Sequence, residues 1–182
     1  MNRHEFDHAV RAAASIIGVA EVLVIGSQAI HGSAAGDVPV EALRSVEVDI
    51  AVFDDPDASR ADLIDGSIGE ASMFHETFGF YAQGVSETTA ILPAGWRARL
   101  VRYESPATNG VVAWCLEPHD LWISKAVAGR PKDHEFCMAL LRDESVDPAV
   151  LEERLAVAPG LAEPVRARLL KWINGSSGSR PD

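Results

Sequence analysis

Glu21-Val22-Leu23-Val24-Ile25-Gly26-Ser27, followed by Arg44-Ser45-Val46-Glu47-Val48-Asp49-Ile50, decides the reading of this chain. The first stretch is a short β-branched run that stops at a glycine, the pattern of a buried strand meeting a tight turn. Ser27 to His31 then open a helix, with Ser27 as its N-cap. The second stretch alternates as a strand over 46–53, so Val46, Val48 and Ile50 share one face and Glu47, Asp49 and Ala51 the other.

A glycine at a strand-to-helix turn lets backbone amides approach an anion closely, and a helix start adds unpaired N–H donors. Glu47 and Asp49, two apart on one strand, project to the same side. Like charges that close repel unless something neutralises them. A hard cation, Mg²⁺ or Mn²⁺, suits such a pair, because it needs only one or two protein carboxylates when phosphates complete its shell. In phosphoryl and nucleotidyl transfer such ions stabilise the attacking and leaving oxygens. Taken singly, the turn reads as structural and the acidic pair as the wet face of an amphipathic strand. Their order and spacing, with Arg44-Ser45 just ahead of the pair, point to a site.

Outward from this centre, residues 3–18 carry Phe6, Val10, Ala13, Ala14 and Ile17 at helical spacing and stop at Gly18. Gly32 to Pro39 reads as a loop, 59–71 as a helix, 78–85 and 88–92 as weaker strands, and 100–104 and 111–116 as better ones. From Pro118 the pattern becomes helical over 118–128, 132–142, 147–157 and 162–173, with Gly129-Arg130-Pro131, Asp147-Pro148 and Pro159-Gly160 between. The organisation is a mixed α/β (α+β) core over 1–116, a helical segment over 117–173 packed on it, and a small polar tail over 174–182 expected to lack structure.

At 182 residues, 47% of them hydrophobic and 24% charged, the chain has the composition of a globular domain with a proper core. Its formal net charge of -11, with no dense basic run, argues against a surface that grips a long nucleic-acid backbone. A small phosphorylated ligand escorted by a divalent cation is easier to accommodate. No stretch approaches the length of a membrane span, and the start lacks the segments of a secretion signal. Cys115 and Cys137, without motif spacing, read as reduced core residues of a cytoplasmic protein. His75, His119 and His134 have no zinc-like spacing, and no serine stands in a nucleophile elbow.

The two opening stretches together resemble the Gly-Gly/Ser and Asp-x-Asp signature of the DNA polymerase β-like nucleotidyltransferase superfamily. The likeness is to small bacterial members related to abortive-infection (toxin–antitoxin) nucleotidyltransferases. A second block, Leu116-Glu117-Pro118-His119-Asp120-Leu121-Trp122-Ile123-Ser124-Lys125 and then Ala128-Gly129-Arg130-Pro131-Lys132-Asp133, is similar to the helical segment of that group. The resemblance implies a mixed-sheet nucleotidyltransferase core that moves a nucleoside monophosphate from a nucleoside triphosphate to a hydroxyl of a protein, RNA or small-molecule acceptor. It implies that Gly26 and Ser27 hold phosphates, that Glu47 and Asp49 bind Mg²⁺ or Mn²⁺ and serve catalysis, and that Lys125, Arg130 and Lys132 flank the nucleotide. Two departures stand out: Glu47 occupies a position where Asp is more usual, and the third carboxylate of active members has no clear counterpart around Gln83 and Glu87. A catalytically incomplete interaction protein, the partner of a toxin, antitoxin or regulatory complex, is the alternative that these departures raise.

Overall fold

The structure, a computed structural model, describes residues 1–34, 36 and 38–177, the side chains at 176 and 177 excepted. It is an α/β fold built on a five-stranded mixed sheet of order β3-β2-β1-β5-β4. The strands are β1 (Glu21–Val24), β2 (Glu47–Ala51), β3 (Tyr81–Val85), β4 (Val101–Tyr103) and β5 (Val112–Cys115). β1 runs parallel to β5 and antiparallel to β2, while β2 runs parallel to β3. Parallel neighbours need a crossover. Between β2 and β3 it is made by α3 (Ser59–Ile68) and α4 (Met73–Phe78).

The first helix, α1 (Arg3–Ile17), starts in a reciprocal cap: Asn2 Oδ1 accepts the Glu5 N–H at 2.9 Å and Glu5 Oε2 accepts the Asn2 N–H at 2.7 Å. It buries Phe6, Ala9, Val10, Ala13 and Ala14 and packs on β1, β2 and β3. Val48 and Ile50 are fully buried, so the opposite face of β2 is the one from which Glu47 and Asp49 project. Over that face lies α5 (Pro118–Ala128), followed by α6 (Pro131–Arg142), α7 (Pro148–Ala156) and α8 (Glu163–Ser177). The Trp122 indole N–H donates to the Cys137 carbonyl at 3.0 Å, and the Cys137 thiol points back at the Trp122 carbonyl, which locks α5 to α6. Both cysteines are free and buried.

Four segments depart from the sequence reading. Ser27 is not an N-cap: Gly26 holds that position, and Ser27–Ala29 form a 3-10 turn leading into the short α2 (Ile30–Ser33). The Ser33 hydroxyl donates to the Ala29 carbonyl at 3.0 Å, a side-chain bond that competes with helix continuation. Residues 88–92 are not a strand, because the Ser86 hydroxyl caps a 3-10 turn over Glu87–Thr89. Phe78 belongs to α4, whose N-cap Ser72 accepts the His75 N–H. Finally, α8 continues to Ser177, past the expected end at 173, where Ile173 is fully buried; 178–182 lie outside the described residues, as do 35 and 37 of the expected loop.

Candidate functional site

Gly26 ends β1 directly beside Asp49 of β2. Its φ of -85° is open to any residue, so the constraint is steric: a Cβ there would lie 1.8 Å from Asp49 Oδ2 and 2.7 Å from Asp49 Cβ. Only a bare backbone lets the Asp49 carboxyl sit against the turn. That carboxyl is four-fifths buried and lies beside the Glu47 carboxyl. Burial pushes Asp49 up to about 6, Glu47 adds to the rise, and Lys125 and Arg130 oppose it.

The counter-charge comes from the helical segment. Lys125 is buried on α5 and brings Nζ to 3.8 Å from Asp49 Oδ2. Gly129, at φ +67°, ends α5 with its N–H on the Lys125 carbonyl, and so turns the chain sharply into α6. Arg130 stands at that turn with its Nε 2.7 Å from Asp133 Oδ2, and Asp133 also accepts the Arg130 backbone N–H at 3.2 Å. Asp133 thus fixes the Arg130 guanidinium at the lip of the site. Lys132 follows as an exposed cation with no ion-pair partner among the described residues. Ser27, Glu47, Asp49, Lys125, Arg130 and Lys132 all line one cavity of about 740 Å³. Gly26 forms the turn beneath Asp49.

Of the other residues that wall the cavity, the sequence reading noted Arg44-Ser45 and Gln83 without giving them a binding role, and it gave none to Tyr81. Arg44 and Ser45 line the same cavity, and Arg44 reaches across to Glu135 of α6 at 2.8 Å. Both partners are largely exposed, so this pair contributes little to stability. Tyr81 and Gln83 come from β3, which pairs in parallel with β2 so that Glu47 faces Tyr81 and Asp49 faces Gln83. The Tyr81 hydroxyl donates to Glu47 Oε2 at 3.3 Å. Burial and the Glu47 charge push the phenol up to about 12. The available signal was the alternation of Tyr81, Gln83 and Val85, which could not be placed until the register was known.

Gln83, an amide, stands opposite Asp49, so β3 places no third carboxylate beside the pair. Glu87 is engaged by Arg97 and does not line the cavity. Among the described residues no group of three His, Cys, Asp or Glu side chains could hold a metal ion. The donor set therefore fits a cation of the Mg²⁺ type that takes two protein carboxylates and draws its remaining oxygens from elsewhere; it does not fit an all-protein cage. The crowding of Glu47 against Asp49 is the observation that suits a cation.

Behind Lys125, a charged network secures the start of α5. Asp120 is fully buried and accepts from Arg99 Nε at 2.8 Å and Arg154 Nη1 at 2.9 Å. Glu117 caps the helix by accepting the His119 N–H at 3.1 Å, and it also binds the His119 ring and Arg154. Burial alone would raise the Glu117 carboxyl, but those hydrogen bonds and charges bring it down to about 2. A carboxyl lowered from 4.5 to about 2 stabilises the fold above pH 4.5, and that stability is lost as pH falls through 2. Glu117→Gln is therefore expected to lower stability at pH 7 by on the order of 2–3 kcal/mol. The deficit should shrink below pH 4, as chemical denaturation across pH 3–8 would show. An equal deficit at both ends would refute the ionic origin.

The mixed sheet, the Gly26-Ser27 turn and the carboxylate pair beside it define a nucleotidyltransferase-fold protein. The family model described as "Nucleotidyltransferase of unknown function (DUF6036)" matches residues 6–172, and the chain belongs to that family. No curated protein and no solved structure matches it. No helix among the described residues is long and apolar enough to cross a membrane.

Proposed function

We propose that the protein transfers a nucleoside monophosphate from a nucleoside triphosphate to a hydroxyl acceptor, with Mg²⁺ or Mn²⁺ held by Glu47 and Asp49. The observation that carries this reading is the division of one cavity into two walls. The Glu47–Asp49 pair lies on the sheet side, with Lys125, Arg130 and Lys132 on the helical side, and the 740 Å³ between them is the size of a small-ligand site. In this reading Lys125 and Lys132 act as point charges on the triphosphate and Arg130 as a directed donor. Ser27 offers a hydroxyl to a phosphate oxygen at the turn. The cation, when bound, neutralises charge on the attacking and leaving oxygens. The acceptor oxygen bonds to the α-phosphorus, the bond to the bridging oxygen breaks and pyrophosphate leaves. With Gln83 opposite Asp49 there is no neighbouring carboxylate on β3 to receive the hydroxyl proton, which passes to solvent.

Mn²⁺ with a nucleoside triphosphate is expected to raise the melting temperature by several degrees, in keeping with about 2.7 kcal/mol at a hundredfold excess over Kd. Asp49→Ala should abolish the rise. Absence of any rise with all four nucleotides would sink the proposal. Gln83 favours a second reading, a nucleotide-binding interaction protein without turnover in a toxin–antitoxin or regulatory complex. Labelled nucleoside triphosphate that binds, yet transfers no label to co-purified protein or RNA, would select it.

A further inference from the structure

Tyr81 is the one hydroxyl among the described residues that reaches a carboxylate of the acidic pair, at 3.3 Å from Glu47 Oε2. Its place is set by register: in the parallel β2–β3 pairing Tyr81 is the direct neighbour of Glu47. The ring itself is held from the crossover. His75 of α4 lies with its ring centroid 4.7 Å from that of Tyr81, and His75 Nδ1 accepts the Ala71 N–H at 3.1 Å, which fixes the imidazole. A chain of contacts therefore runs from the α3–α4 turn through His75 and Tyr81 to Glu47.

The geometry points to Tyr81 as a positioning residue for Glu47, one that holds the longer carboxylate in the orientation a cation requires. This rests on the reading of Glu47 and Asp49 as cation ligands. Glutamate has one more rotatable bond than aspartate, and each free torsion that must be fixed on binding weakens affinity. A phenol donating to one oxygen of Glu47 removes that freedom and leaves the other oxygen for the cation. Such outer partners of a ligating carboxylate typically govern affinity by 10–100-fold. Aspartate at the same position would be shorter by one methylene, about 1.5 Å, which takes its carboxylate beyond hydrogen-bond reach of the phenol. The tyrosine is thus matched to glutamate, not to acidity in general.

The test is a Mn²⁺ titration of the full chain, with bound ion read by electron paramagnetic resonance. Tyr81→Phe keeps the ring against His75 and should bind Mn²⁺ about tenfold more weakly, with an unchanged melting temperature. In a Glu47→Asp background the same substitution should have no effect, because the partner is already out of reach. Equal affinity in wild type and Tyr81→Phe, or an equal loss in the Glu47→Asp background, overturns the inference while leaving the cation site intact. A Tyr81→Phe chain that melts lower or does not fold assigns the hydroxyl to the fold and also overturns it. A wild type that binds no Mn²⁺, indistinguishable from Asp49→Ala, defeats the underlying reading and this inference with it.

Discussion

Asp49→Asn is expected to stabilise the cation-free protein at pH 8 and to do so less and less as the pH is lowered. Asparagine has the shape of the protonated acid and carries no charge, so the substitution removes only the cost of the buried carboxylate. That cost follows from the shift from 3.8 to about 6, for which burial is the first cause and the adjoining Glu47 a second. Below pH 3.8 the group is protonated in both the folded and unfolded chain, and the substitution gains nothing. Between 3.8 and about 6 the unfolded chain has released a proton that the folded chain keeps, and each pH unit costs the fold about 1.4 kcal/mol. Above about 6 both states are ionised and the cost stays constant, on the order of 1–3 kcal/mol. At about 2–4 °C per kcal/mol for a chain of this length, the melting temperature of Asp49→Asn in chelator should exceed that of wild type by several degrees at pH 8. The excess should be much smaller at pH 4.5. Added Mn²⁺ should raise the wild type and leave the variant unmoved. A variant that melts below wild type at pH 8 would show that Asp49 stabilises the empty fold, and would remove the argument that the pair is held for a cation.

Gly26→Ala should disrupt the candidate site directly, because its added methyl lands on the Asp49 side chain. The new Cβ meets Asp49 at Oδ2, Cγ and Cβ, at 1.8, 2.5 and 2.7 Å, so swinging the carboxyl aside does not clear it and β2 itself must shift. Overpacking of this kind costs about 1–3 kcal/mol, and the displaced strand carries both carboxylates away from Lys125. Loss of roughly 3–10 °C in melting temperature is expected, together with loss of the Mn²⁺ response. Gly66 is the control. It lies within α3, and a Cβ added there would meet no atom within 4 Å, so Gly66→Ala should gain about 0.5–1 kcal/mol of helix propensity. If Gly26→Ala melts and binds as wild type does, the close approach of the turn to Asp49 is not what the glycine serves.

The parts of the fold governed by local chemistry were legible. The β-branched run before Gly26 and the alternation around Glu47 mark two strands, and the Gly- and Pro-punctuated periodicity after Pro118 marks the four helices that follow. Segments where a side-chain hydroxyl competes with the backbone were not. Ser33, Ser72 and Ser86 each bond a nearby backbone group, at the end of the short α2, at the start of α4 and at the 3-10 turn over Glu87–Thr89 where a strand was expected.

The candidate site divides along the same line. Glu47 and Asp49 share a face because strand geometry has a period of two, and Gly26 and Ser27 follow β1 because the chain is continuous there; sequence alone settles both. Long-range pairing decides the rest. The parallel register of β3 on β2 sets Gln83 rather than a carboxylate opposite Asp49 and brings Tyr81 to Glu47, although more than thirty residues separate each pair. The packing of α5 over the sheet buries Lys125 against Asp49, a contact that no local pattern records. Sequence therefore determined which carboxylates point together. Only the tertiary structure decided which cation, phenol and amide face them, because side-chain direction is fixed by local backbone period while strand register and helix docking are fixed by burial of the whole core.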